Sequence, residues 1–217
     1  MKTINKTFLF VIFVTLFANI TISQKRGRGV YDYEGNYYHS IKVGETEWMT
    51  ENLKTNFFSN GESIKSESNS DVKVFQPLDS TSSEGNYYTW SVISDTRNIC
   101  PTGWRVPTIS DWDALVSKFG GQDIAAIELK SSYSEYWNNP IFEANNYSGF
   151  SAIPEGFVNE NGSYSNIGKY GYWWSITEKD NEVAWGMEIG HNQNESYKGF
   201  ANKKDGLSVR CVAKPSK

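Results

Sequence analysis

Cys100 and Cys211 are the only cysteines in the chain, so at most one disulfide can form within it. If they pair, the middle of the domain is tied to its last predicted strand. A loop of about 110 residues closed in this way constrains the unfolded chain by roughly 4–5 kcal/mol in the loop-entropy treatment, and often by less in practice. Two buried free thiols are the alternative. The compartment decides between them, because disulfides persist in exported proteins.

The N-terminus carries the signs of export. Lys2 and Lys6 give a positive start, residues 8–18 are apolar except for Thr15, and small and polar residues follow at 20–24. That is the order of a secretory signal peptide, with cleavage expected near Ser23–Gln24. The apolar run of about 11 residues falls short of the roughly 20 that span a bilayer. A short uncleaved anchor is the alternative, and no cysteine lies there to carry a lipid. The expected division is a signal peptide at 1–23, a short basic mature N-terminus at 24–29 and one domain at 30–217. With two lysines removed and no acids, the formal charge goes from −4 to −4 − 2 = −6. A net negative domain is a poor partner for nucleic acid, and about 190 residues suffice for one domain with a core.

The rest of the pattern is α+β. Residues 30–40 read as a hairpin around Gly35-Asn36, and 41–48 as a strand kinked at Gly44. Segments 149–164, 170–177, 182–190, 197–201 and 207–213 read as further strands. The polar stretch 59–83, with an apolar island at Val72, Val74 and Phe75, reads as a long surface excursion. The clearest helix covers about 108–120. Thr108 and Asp111 fit a capping pair, Ile109, Trp112, Leu115, Val116 and Phe119 recur at helical spacing, and Gly120-Gly121 stops it. A second short helix is expected over 123–131. Helices clustered among strands indicate antiparallel sheets rather than alternating βαβ units.

Catalytic options are sparse. The two histidines, His39 and His191, cannot make a three-histidine metal site, and no zinc-ligand spacing is present. Gly-x-Ser-x-Gly elbows and phosphate-cradling loops are missing. Glu178, Asp180 and Glu182 near Trp174, with Glu188 further along, could supply a two-acid hydrolase, but a solvated turn is the favoured reading. Tyr170, Tyr172, Trp173, Trp174 and Trp185 fall within sixteen residues. Adjacent strand residues point to opposite faces, so at least one of Trp173 and Trp174 belongs to the core. Trp185, His191, Asn192, Asn194 and Tyr197, around a polar loop, are the candidate ligand contacts. No cofactor is expected.

Six segments carry a resemblance: IKVGETEWMTENLKT at 41–55, YTW at 88–90, ICPTGWRVPTISDW at 99–112, SGFSAIP at 148–154, GKYGYWWSITE at 168–178 and GLSVRCV at 206–212. In this order they resemble the Fibrobacter succinogenes major paralogous domain family of exported Bacteroidetes and Fibrobacteres proteins. That family looks related to the formylglycine-generating-enzyme and C-type-lectin-like folds. Arg105 to Thr108 with Asp111-Trp112 is similar to the helix entry of the formylglycine-generating group, and Ser208 to Cys211 to its closing strand. The resemblance implies a single compact C-type-lectin-like domain with twisted antiparallel sheets and long loops. It also implies a Thr108 cap, hydrogen bonds from a buried Arg210, and a Cys100–Cys211 pair. Trp112, Trp173 and Trp174 take structural roles in this reading.

The enzymatic activities of those groups do not carry over. No spare cysteine pair exists to bind copper and no histidine-rich set to bind iron. Gln76-Pro77-Leu78 and Trp137-Asn138-Asn139 depart from the calcium-lectin triplets. The expectation is a non-enzymatic binding module in the periplasm, at the cell surface or secreted, recognising a glycan or an envelope protein. The alternatives are an extracellular polysaccharide hydrolase using carboxylates near Trp174 and a structural envelope component.

Overall fold

The computed structural model describes residues 25–65, 71–78, 85–133, 136–138, 143–192 and 196–215. In chain order the first half runs β1 Lys25–Arg26, β2 Val30–Tyr31, β3 Tyr37–Tyr38, β4 Ser40–Val43, β5 Thr46–Met49, β6 Val74–Phe75, β7 Tyr87–Tyr88, helix α1 Trp90–Ile93 and β8 Trp104–Arg105. Helices α2 Ile109–Lys118 and α3 Ala125–Leu129 follow. The chain closes with β9 Phe157–Val158, β10 Tyr164–Ser165, β11 Tyr170–Glu178, β12 Val183–Gly190, β13 Ser196–Asn202 and β14 Val212–Ala213. The predicted signal segment and parts of the 59–83 excursion lie outside the described residues. Among the described residues no helix is long and apolar enough to cross a membrane.

Helix α2 begins as its sequence requires. Thr108 Oγ1 accepts from the backbone N–H of Asp111, and the Asp111 carboxylate accepts in return from the Thr108 N–H at 2.6 Å. Arg105 forks onto the same carboxylate at 2.7 and 2.8 Å. Burial raises the Asp111 pKa, but the bonds from Arg105 and Thr108 outweigh it and hold the carboxyl below its ordinary value. Trp112, Leu115 and Val116 form the buried face, and Gly120 and Gly121, both at positive φ, end the helix region.

The fold is a compact α+β arrangement of antiparallel sheets. The largest has the order β1-β4-β5-β14-β8, which sets the C-terminal strand beside β5 from the N-terminal region. The second is the meander β11-β12-β13. Residues 41–48, expected as one kinked strand, form the hairpin β4–β5 instead. Gly44 sits at φ +60, a left-handed geometry that turns the chain back on itself. The expected strand over 207–213 is regular only at Val212–Ala213. Its earlier residues bond to several partners, with Leu207 paired to Tyr88, Ser208 to Tyr172 and Trp174, and Val209 to Leu53. This segment threads between the sheets rather than joining one ladder.

The core has two parts, one on each face of the β11–β12 ladder. One holds Trp174 with Met49, Leu53, Tyr88, Trp104, Val209 and both cysteines. The other holds Trp173 with Trp48, Trp112, Phe150, Met187 and Ile189. Cys100 and Cys211 form a disulfide buried in the first. Trp173 and Trp174 do alternate in direction, and both are fully buried, because the ladder is covered on both faces where they sit. Gly186, opposite Trp174, is required there, since a Cβ would come 2.6 Å from the Trp173 carbonyl oxygen.

A buried polar network and the pocket above it

The residues singled out around the 191–195 loop do not converge. Trp185 pairs with Phe200 across β12 and β13, and their rings meet edge-on at 6.2 Å with the Lys179 Nζ nearby. Tyr197 lies opposite Glu188, on the other face of the same sheet. The His191 ring packs against Tyr170 at the turn after β12, and Asn192 is exposed beside it. Asn194 lies outside the described residues. Of the acids near Trp174, Glu178 is paired with the Lys203 Nζ, and Asp180 accepts the backbone N–H groups of Glu182 and Val183. Glu182 is exposed. Glu188 is separate from this turn, in mid-strand.

A different set of side chains meets in the interior. Arg210 is fully buried, and its Nε donates to Asn52 Oδ1 at 2.7 Å. Its Nη1 donates to the Phe150 carbonyl and its Nη2 to the Ser151 carbonyl at 2.9 Å. The guanidinium lies over the Phe150 ring, 4.2 Å from the centroid. Burial lowers the Arg210 pKa to about 10, which leaves it charged at neutral pH. Asn52 Oδ1 also accepts from the indole N–H of Trp173 at 2.8 Å, while Asn52 Nδ2 donates to Glu155 Oε2 at 2.7 Å. The Ser208 hydroxyl donates to that oxygen, and the Gly85 N–H donates to Glu155 Oε1.

Asn52 therefore stands between a buried guanidinium and a buried carboxyl group. Only one amide orientation satisfies both sides, with the oxygen toward Arg210 and Trp173 and the NH2 toward Glu155. A buried charge is costly unless bonded on every side, and this arrangement supplies those bonds from chain segments far apart in sequence. Most of these segments carry the motifs: 41–55 brings Asn52, 148–154 brings the Phe150 and Ser151 carbonyls, 168–178 brings Trp173 and 206–212 brings Ser208 and Arg210, while Glu155 and Gly85 lie outside them.

The network also floors a pocket. A cavity of about 170 Å3 is lined by Asn52, Glu155 and Arg210 below and by Glu51, Tyr133 and Tyr136 toward the mouth. Tyr133 is 63% exposed and Tyr136 37%, and their rings meet edge-on at 6.3 Å. Thr50, Ser131 and Ser151 add further polar wall. The pocket thus offers the hydroxyls of Thr50 and Ser151, the Glu51 carboxylate and two aromatic surfaces over a rigid polar floor. The family resemblance marks Arg210 as a structural residue, whereas nothing in the sequence singles out Asn52, Glu155, Tyr133 or Tyr136. The available signal for Asn52 was its place in the TENLKT segment, while two tyrosines three apart in a polar stretch give no signal of their own.

Among the described residues no three His, Cys, Asp or Glu side chains gather as they would around a metal ion. Compared with curated proteins and with solved structures, the chain matches none, so the likeness to lectin and formylglycine-generating folds rests on sequence motifs alone. The Fibrobacter succinogenes major domain family matches residues 41–213, which include every motif segment that builds the buried network, and the chain belongs to that family.

Proposed function

We propose that this chain is an exported, non-enzymatic binding module that recognises a glycan through the pocket above Arg210. One observation carries the reading: the exposed Tyr133–Tyr136 pair stands at the mouth of a cavity floored by buried hydrogen-bonding groups. Sugar rings have apolar faces that pack on aromatic rings and hydroxyls that both donate and accept. A pocket with Tyr133 and Tyr136 at its mouth and Thr50, Glu51 and Ser151 on its wall offers both kinds of contact, over a floor that Asn52, Glu155 and Arg210 hold rigid. The buried groups hold one another in place, so little ordering is needed on binding, which favours affinity. The Cys100–Cys211 disulfide supports an oxidising compartment and hence export.

The test is a glycan array probed with the mature protein and with Tyr133→Ala/Tyr136→Ala. Signals on defined glycans that vanish in the variant, with its melting temperature unchanged, support the reading. Binding by both proteins alike would place the site elsewhere.

A hydrolase is the second reading, and one observation favours it: Glu188 and Asp205 line a common groove, and burial raises both carboxyl pKa values. Two carboxyl groups lining one groove, with burial favouring the neutral form of each, are the kind of groups that glycoside hydrolysis uses. Release of reducing ends from a polysaccharide, abolished by Glu188→Gln, would decide for it.

A further inference from the structure

The groove that holds Glu188 and Asp205 lies on the Trp174 face of the β11-β12-β13 sheet and encloses about 260 Å3. Gly186 and Gly199, paired across β12 and β13, form a floor without side chains. Phe157 and Tyr172 meet edge-on at 5.4 Å on one side, and Leu207 adds apolar wall. The lining is thus largely apolar, and among the described residues it contains no lysine or arginine. Neither carboxylate takes part in an ion pair among the described residues. The nearest strand lysine, Lys198, sits opposite Met187 on the other face and bonds to Asp113. Asp205 accepts the backbone N–H of Glu160, whose own carboxylate is a further charge beside it. Tyr172, whose hydroxyl accepts from Asn166, and Tyr197 are the other titratable groups on the Glu188 side.

We propose that this groove takes an arginine side chain presented by a partner polypeptide. Charge complementarity sets the sign: two half-buried carboxylates without a cation are penalised by their apolar surroundings, and a cation brought into the groove that both line relieves that penalty. The shape and chemistry select arginine. The guanidinium is planar and weakly hydrated, so it enters an apolar cleft at less cost than a compact ammonium. It packs on aromatic rings such as Phe157 and Tyr172, and its forked donors suit carboxylate oxygens bidentately. The methylene stem lies against the apolar wall and the glycine floor.

The full mature chain is titrated with acetyl-Gly-Arg-Gly-amide while the backbone amides of Gly186 and Gly199 are followed by NMR. The controls are the same peptide with lysine or with citrulline in place of arginine. The expected result is saturable shifts with the arginine peptide, at least tenfold weaker binding of the lysine peptide and none with citrulline. Affinity should fall at least tenfold in Glu188→Gln/Asp205→Asn. Gly199→Val gives a second variant that leaves both charges in place. A Cβ there meets nothing closer than Glu188 Oε2 at 3.9 Å, so the valine fills the floor without a backbone clash, and binding should be lost. No shifts at millimolar peptide, equal binding of lysine or citrulline, or unchanged binding by the folded variants would each overturn the proposal.

Discussion

Asn52 and Arg210 stand 158 positions apart and are joined by a 2.7 Å hydrogen bond from Nε to Oδ1. Through the other half of the same amide, Asn52 also bonds Glu155. One small side chain thus couples a buried guanidinium to a buried carboxylate and fixes the indole of Trp173 between them. Asn52→Ala leaves Arg210 Nε, the Trp173 N–H and one lone pair of Glu155 without their partner. Each buried group stranded in this way costs about 1–3 kcal/mol, more when charged, so a loss of at least ~3 kcal/mol is expected in urea denaturation. Arg210→Met should cost a similar ~3–5 kcal/mol, because Asn52 Oδ1 and the Phe150 and Ser151 carbonyls then lose their buried donors.

The two adjacent tryptophans make a paired prediction. Both are fully buried, in different halves of the core. Trp173→Ala and Trp174→Ala should each destabilise by about 3–5 kcal/mol. Trp185 is only partly covered and packs against the exposed ring of Phe200, so Trp185→Ala should cost much less. Equal losses at all three positions would contradict this partition of the core.

The disulfide prediction is direct. Thiol titration of the folded protein, and of the protein unfolded without reductant, should find no free thiol. Cys100→Ala/Cys211→Ala should lower stability by about 2–5 kcal/mol. The polypeptide around both cysteines is already part of the core, so the variant is expected to fold, with a lower melting temperature.

These elements show how far the sequence could be read. The capping pair Thr108–Asp111 and the spacing of Trp112, Leu115 and Val116 are local signals, and they place α2 to within two residues. The hairpin around Gly35-Asn36 and the long strands β11 to β13 follow from local patterns too. The network of Asn52, Glu155 and Arg210 is not local: three polar residues spread across most of the chain have no periodicity that would mark them as neighbours. The family motifs mark the segments of Asn52 and Arg210 without saying what they share, and Glu155 lies just past one of them. Trp173 and Trp174 show the same limit. Strand alternation gives opposite directions, but whether each face is covered depends on helix α2 on one side and on the chain near Tyr88 and Val209 on the other.

Glu188 yields a pH prediction. Burial raises its carboxyl pKa, with Tyr172 opposite on β11, Tyr197 opposite on β13 and Asp205 across the groove. A raised folded pKa means that the folded protein binds the proton more tightly than the unfolded chain. The associated stability is fully present below the ordinary glutamate value of about 4.3 and is lost as pH rises through the higher folded value. Glu188→Gln keeps a neutral side chain at every pH. It should therefore melt above the wild-type protein at pH 7, and the gap should close on acidification through the raised pKa. A gap that stays constant from pH 3 to 7 would contradict the assignment.

The central claim is that the pocket over Arg210, with Tyr133 and Tyr136 at its mouth, is a glycan site. Its most direct test is titration calorimetry with the strongest array glycan, comparing the wild type with Tyr133→Ala/Tyr136→Ala. Aromatic contacts of this kind are worth about 0.5–1.5 kcal/mol each beyond their area. The account predicts measurable heat and saturation for the wild type, at least a tenfold loss of affinity in the variant, and equal melting temperatures. Unchanged affinity in a folded variant, or no glycan bound by the wild type, would contradict it.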